Sequence, residues 1–171
     1  TPDDKTFLGS RIPKYTFGLN FGGEYKGFDF SVLLQGVAKV KGMLSVYAGH
    51  AFYQEGNIQK WQMENCWNVQ QDNRYPRLEI MSNAGSNNTL TSDFWVLDAS
   101  FLKVRNVQLG YTLPEHIVKK FGSTGMRFYV SLDNPLTFKG YRKGWDPENT
   151  SNNGQYYPTM STYTLGLTLK F

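Results

Sequence analysis

Four aromatic residues in two polar stretches, Trp61, Trp67, Tyr75 and Trp145, are the side chains of this sequence best suited to binding something. Ring faces presented from loops stack on sugars or on partner surfaces, and they equally well pack on one another to hold loops together. Other chemistry is poorly served. His50 and His116 lack the spacing of a metalloprotease helix, and no Cys or second His stands at ligand distance from either, so no metal site is expected. Ser100 sits inside an alternating apolar stretch without the glycine-flanked elbow of a catalytic serine. Cys66 is the single cysteine, which rules out an internal disulfide and reads as a small, half-buried apolar residue. Asp72 with Glu64 and Glu79, or Asp146 with Glu148, have the composition of a Ca²⁺ site, but also that of polar loops rich in caps and turns. The expectation is a protein without catalytic residues and without a cofactor.

The elements that must position those rings are strands. The chain of 171 residues carries 12 Phe, 11 Tyr and 4 Trp beside 17 Gly, yet its mean hydropathy is −0.47. Large rings interleaved with polar residues, instead of gathered in runs, are a strand-rich pattern. No apolar run approaches the roughly 18 residues of a membrane helix, and the opening TPDDKT lacks the profile of a signal peptide. A membrane β-barrel stays open, because its strands are only half apolar. The net charge of +4 raises nucleic acid as a partner. The basic residues fall in separate pairs such as Lys39 and Lys41, Lys119 and Lys120, or Arg142 and Lys143, so solvated positions are the better reading.

Alternation is explicit along the chain. Tyr15, Phe17, Leu19, Phe21 and Tyr25 alternate with Thr16, Gly18, Asn20, Gly22 and Glu24, and the pattern restarts after Lys26-Gly27 with Phe28, Phe30, Val32 and Leu34. Two long strands joined by a tight turn form an antiparallel hairpin. The second is expected to run toward Val40, with Met43 to Tyr47 starting another. After Gly49 the pattern vanishes until Asp93; inside the gap Asn57 is placed to cap a short helix carrying Ile58 and Trp61.

Residues 93–114 then read as one long strand closed by Thr-Leu-Pro. Trp95, Leu97, Ala99 and Phe101 share a face, and Val107, Leu109 and Tyr111 keep the same parity beyond Lys103 and Arg105. Those cations fall on the apolar face unless the segment leaves the membrane or a bulge shifts the register near 102–106. Pro114 opens one or two helical turns ended by Gly122. Met126, Phe128, Val130 and Leu132 mark another strand with a break or edge at Asn134-Pro135, and a polar loop spans 140–158. The last strand carries Tyr163, Leu165, Leu167, Leu169 and Phe171 on one face.

Short connectors at one end and long polar loops at the other are how an outer-membrane barrel is built, with turns on the periplasmic side and loops outside. Trp95, Tyr111, Tyr15 and Tyr163 would suit its aromatic girdles. The fold class expected is all-β: long antiparallel strands forming part of a transmembrane β-barrel, with two long extracellular loops and short periplasmic turns. A soluble β-sandwich, or a carbohydrate-binding module built on one, would ordinarily have shorter strands.

The wording of the sequence also resembles a family. Trp61-x-x-Glu64-Asn65, Tyr75-Pro76-Arg77, the run from Ser92-Asp93-Phe94-Trp95 through Leu109-Gly110-Tyr111-Thr112-Leu113-Pro114, and Tyr25-Lys26-Gly27-Phe28-Asp29 look like the C-terminal part of SusC/RagA TonB-linked outer-membrane transporters of Bacteroidetes. Trp145-Asp146-Pro147-Glu148, Tyr157-Pro158 and Tyr163-Thr164-Leu165-Gly166-Leu167 extend the likeness over nearly the whole chain. The resemblance implies a barrel of about 22 strands around a plug domain, in the bacterial outer membrane, importing glycans or peptides. It implies as partners a SusD-like lipoprotein, TonB acting through parts outside this chain, the remaining barrel strands and the membrane lipid.

Residues 1–171 would then be a C-terminal barrel segment of about six strands, lacking plug, TonB-contacting segment and signal peptide. Alone, such a segment would curl, dimerise or swap strands to satisfy its edges. An outer-membrane barrel serving adhesion instead of transport is the second alternative. Phe171, ending an alternating strand with Tyr163, Leu165, Leu167 and Leu169, resembles the signal for outer-membrane insertion. In a bacterial setting the sequons Asn87-Asn88-Thr89 and Asn149-Thr150-Ser151 are ordinary loop residues.

Overall fold

In the computed structural model, which describes residues 2–67, 75–79, 87–149, 151–152 and 156–171, alternation becomes a wall. Five long strands, β1 (Tyr15–Tyr25), β2 (Phe28–Ala38), β5 (Phe101–Thr112), β6 (Gly125–Lys139) and β8 (Thr162–Lys170), pair antiparallel in the order β1-β2-β5-β6-β8. Three short strands, β3 (Lys41–Leu44), β4 (Val96–Asp98) and β7 (Ser151–Asn152), make a second sheet in the order β4-β3-β7. The large sheet does not close, and β1 and β8 are its edges. This is the expected all-β architecture, part of a transmembrane barrel.

The turns at one end follow from local chemistry. Tyr25 pairs with Phe28, leaving Lys26 (φ 49) and Gly27 (φ 86) as a two-residue turn with both central residues left-handed, which matches the twist of the strands it joins. The other connector has Pro114 ahead of a helical turn at Glu115–Val118, a 3₁₀ turn at Lys119–Phe121, and Gly122 (φ 70) as the terminator.

Both faces of the wall can be traced across the ladder. Tyr25, Phe28, Tyr111 and Phe128 stand in register, then Phe30, Leu109, Val130 and Leu165, then Phe21, Val32, Val107, Leu132 and Tyr163. All share one face, on which nine of the thirteen are exposed and the other four half-buried. The opposite face carries Asp29, Ser31, Gln108, Asn106, Arg127, Ser131, Thr162 and Thr164. An 11-residue strand is about 36 Å long and, tilted by about 40°, spans close to the ~25 Å apolar band of an outer-membrane barrel.

The core sits in the connections. Val40, Leu44, Ala48, Ala99 and Tyr141 form one buried cluster, and Ala51, Tyr75 and Trp95 another. The described residues of connections 39–100 and 140–161 therefore fold into a single lobe at one end of the wall, joined by the parallel pairing of β3 with β7.

Several sequence expectations are corrected. Residues 93–114 are not one strand: β4 ends at Asp98 and pairs with β3 in the lobe, while β5 starts at Phe101 in the wall. Alternation runs through the break because Trp95, Ala99 and Phe101, on either side of it, are all buried, which is why it reads as continuous. Trp95 is accordingly a lobe core residue, 5% exposed, and not a girdle ring. The next strand, expected over 43–47, ends at Leu44, and Tyr47 belongs to a helical turn, Val46–Gly49. The short helix is Lys60–Asn65 and is capped by Gln59, not Asn57. The break expected at Asn134-Pro135 is an interruption of the ladder inside β6, which continues to Lys139. Beside the five long strands stand three short ones, against the six expected.

Candidate functional site

The two cations that fit no face are the key to the polar side. Leu33 pairs with Asn106 and Leu34 with Val104, so Arg105 is an extra residue in β5. On the other flank Asn106 pairs with Asp133 and Val104 with Leu136, so β6 inserts Asn134 and Pro135 at the same level. A bulge of this kind shifts side-chain parity by one. Beyond it Val104 and Leu102 take the apolar face, and Lys103 turns to the polar face opposite Gln35. Of the alternatives open in the sequence, the register shift is the one realised. Asn134 adopts φ 49, the conformation that short polar residues tolerate best.

The turned cations hold the second loop. Lys103 is 2% exposed, and its Nζ donates to both Asp146 carboxylate oxygens at 2.8 and 3.0 Å and to Glu148 Oε2 at 2.5 Å. Arg105 Nε donates to Gln35 Oε1 at 2.6 Å and Nη1 to Asn134 Oδ1 at 3.1 Å, while Nη2 pairs with Glu148 Oε1. One guanidinium thus ties β2, β6 and the loop together. Asp146 also accepts from Thr159 Oγ1 at 2.6 Å and from the Glu148 amide at 3.0 Å. Burial alone would raise the Asp146 pKa, but the bonds from Lys103, Thr159 and the Glu148 amide leave it below the ordinary carboxylate value. A cavity lined by Lys103, Thr137, Lys139, Trp145, Tyr156 and Thr159 lies between loop and wall.

Toward the turn end a second pair crosses the polar face. Arg127 Nε donates to Asp29 Oδ2 at 2.8 Å, joining β6 to β2 over the intervening β5. Gly110 makes this possible, because a Cβ there would collide with the Asp29 carboxylate and the Arg127 guanidinium.

The four rings singled out in the sequence meet different fates. Tyr75 is buried, and its hydroxyl donates to Gly49 O at 3.0 Å and accepts from the Ala51 amide at 2.9 Å; burial pushes its pKa up. Trp61 stacks edge-on against Tyr75 at 5.1 Å between centroids and is covered by Arg142, 3.6 Å above its ring. Trp67 is the most exposed of the four at 46%, and its amide donates to Tyr75 O at 2.8 Å. Trp145 lies in the other loop, partly buried against the cluster that holds Tyr141. The fold brings Trp61, Trp67 and Tyr75 together and leaves Trp145 apart.

Sequence reading missed Gln62, 1% exposed, whose Nε2 donates to Gly49 O at 2.8 Å and whose Oε1 caps its own helix through the Gln59 amide at 2.8 Å. The spacing of two glutamines three apart was the available signal. Of the loop carboxylates, Asp72 lies outside the described residues, and no group of three or more metal-ligating side chains occurs among the described ones.

An open antiparallel sheet with one apolar and one polar face, short turns at one end and a folded lobe at the other, defines a sector of an outer-membrane-type barrel wall. The relatives are of that kind. TonB-dependent receptor P3 of Formosa agariphila is 32% identical over 98% of this chain, which spans 17% of that receptor's length. TonB-dependent receptor SusC of Bacteroides thetaiotaomicron is 37% identical over 47% of the chain and 8% of its own length. Among solved structures, the RagAB peptide importer in its 'closed-closed' state superposes with a TM-score of 0.74 at 25% identity, over 95% of this chain and 18% of that one. Its 'open-open' state gives 0.71 at 26% identity over the same shares. No family model matches. The chain belongs to the SusC/RagA-type TonB-dependent receptors.

Proposed function

We propose that this chain supplies C-terminal wall strands and two extracellular loops to a SusC-like transporter that carries glycan or peptide nutrients across the bacterial outer membrane. The observation that carries this is the wall's continuous apolar face. Phe17, Phe30, Leu109, Phe128 and Leu167 are 43 to 53% exposed without any covering element, an arrangement that water would penalise and lipid would not. A soluble carbohydrate-binding module has no use for such a face. The polar side would line the lumen, the hairpin turn at Lys26-Gly27 would face the periplasm and the lobe the outside.

Plug, SusD-like lipoprotein and TonB would act through the rest of the assembly, and no catalytic role is assigned. Trp67, with Trp61 beside it, would present aromatic surface to cargo, as would Trp145 from the second loop, while Tyr75 holds the loops in shape. The alternating end at Tyr163, Leu165, Leu167, Leu169 and Phe171 would mark the protein for insertion. Expressing the full-length gene product tests the reading. It should fractionate with the outer membrane, need detergent for extraction and migrate differently before and after boiling; recovery as a freely soluble protein would reject it.

A further inference from the structure

Lys103, Arg105 and Lys139 form a cationic seat on the polar face, and segment 144–149 lies in it as a strap. The seat combines the Nη2 edge of the Arg105 guanidinium and two ammonium groups, a set that matches carboxylates. Asp146 and Glu148 occupy it, while Lys139 donates to the Trp145 carbonyl. Three cations thus face two carboxylates, and a cavity adjoins them. A lysine as buried as Lys103 is tolerated only while anions are bound to it.

Resting on the transporter reading above, we propose that Asp146 and Glu148 are internal stand-ins for a cargo carboxylate, and that the seat is a lumenal binding site for carboxylate-bearing oligomers. An incoming carboxylate replaces them and the strap lifts. By linkage, a ligand that binds only the vacated seat shifts the strap toward the open state. Two sources share this chemistry: acidic oligopeptides and uronic-acid oligosaccharides.

The test uses the full-length transporter in detergent, with triglutamate and trigalacturonate as probes and trialanine and maltotriose as neutral controls. Hydrogen exchange is followed over 144–149, where the Asp146 amide is held by the Tyr156 hydroxyl and the Asn149 amide by Asp146 O. A saturating carboxylated probe should raise exchange there at least tenfold and the controls should not; the probe that acts identifies the source. Glu148→Gln removes one competitor and should tighten carboxylate binding several-fold, an effect that a purely structural role would not give. Lys103→Gln should open the strap without ligand and abolish the response. Exchange indifferent to ligand charge, or weaker binding by Glu148→Gln, overturns the proposal. Equal uptake of neutral and acidic oligomers would defeat this inference alone, whereas a soluble protein would defeat the transporter reading beneath it.

Discussion

Wall and lobe draw on the same residue types and treat them in opposite ways. In the wall, Phe30, Leu109, Phe128 and Leu165 stand exposed along one face, and backbone ladders join the strands. In the lobe, Tyr75, Trp95 and Tyr141 are no more than 5% exposed, and rings gather around Trp95, which lies 4.7 Å from Phe94, 5.9 Å from Tyr75 and 5.0 Å from His50. The lobe carries its own hydrophobic core; the wall needs lipid to supply one. The two regions should therefore fail separately and for different reasons.

The largest expected effect is in the lobe. Trp95→Ala should cost about 3 to 5 kcal/mol locally, seen as rapid proteolysis within 45–95 while the wall keeps its heat-modifiable migration. Next comes a paired test in the wall. Leu165→Arg should destabilise the inserted barrel by roughly 2 to 4 kcal/mol, whereas Thr164→Arg, one residue away on the polar face, should change it by less than about 1. Equal costs would erase the distinction between faces. Gly110→Val should cost about 1 to 3 kcal/mol through overpacking, because the Asp29–Arg127 pair must move aside; urea unfolding in detergent measures it.

Acid sharpens the comparison with a smaller effect. Burial lowers the pKa of His50 from 6.5, and its ring nitrogens have no partner among the described residues. The unfolded lobe therefore binds the proton more readily. Lobe stability should be full above pH 6.5 and decline as pH falls through the folded value, with His50→Phe removing that dependence. The Asp146 contact has the same sign in a lower window: its carboxylate pKa is held below 3.8, so the strap should stay seated until the pH drops under about 4. Proteolysis of the lobe against pH separates the two.

Much of the wall was legible because alternation is a direct record of two solvents, one on each face. The hairpin at Lys26-Gly27 and the connector from Pro114 to Gly122 were legible because turn chemistry is local. The break between β4 and β5 was hidden, since Trp95, Leu97, Ala99 and Phe101 alternate straight through it. Lys103 and Arg105 announced a conflict, but a bulge and an extramembrane strand end leave the same sequence trace. Only pairing with Leu33 and Leu34 on one side and Asp133 and Leu136 on the other decides between them. The partners of Lys103 lie more than 40 residues away, and nothing in the spacing announces them.

The central claim is that the wall has one lipid face whose parity slips at Arg105. Spin labels placed singly at positions 101–111 of the full-length protein in bilayers test it most directly, with oxygen and aqueous nickel as competing relaxants. Oxygen access should peak at 111, 109 and 107 and then, after the slip, at 104 and 102, with 103 and 105 shielded from lipid. An unbroken odd-numbered pattern that puts 105 and 103 in the bilayer would contradict the account.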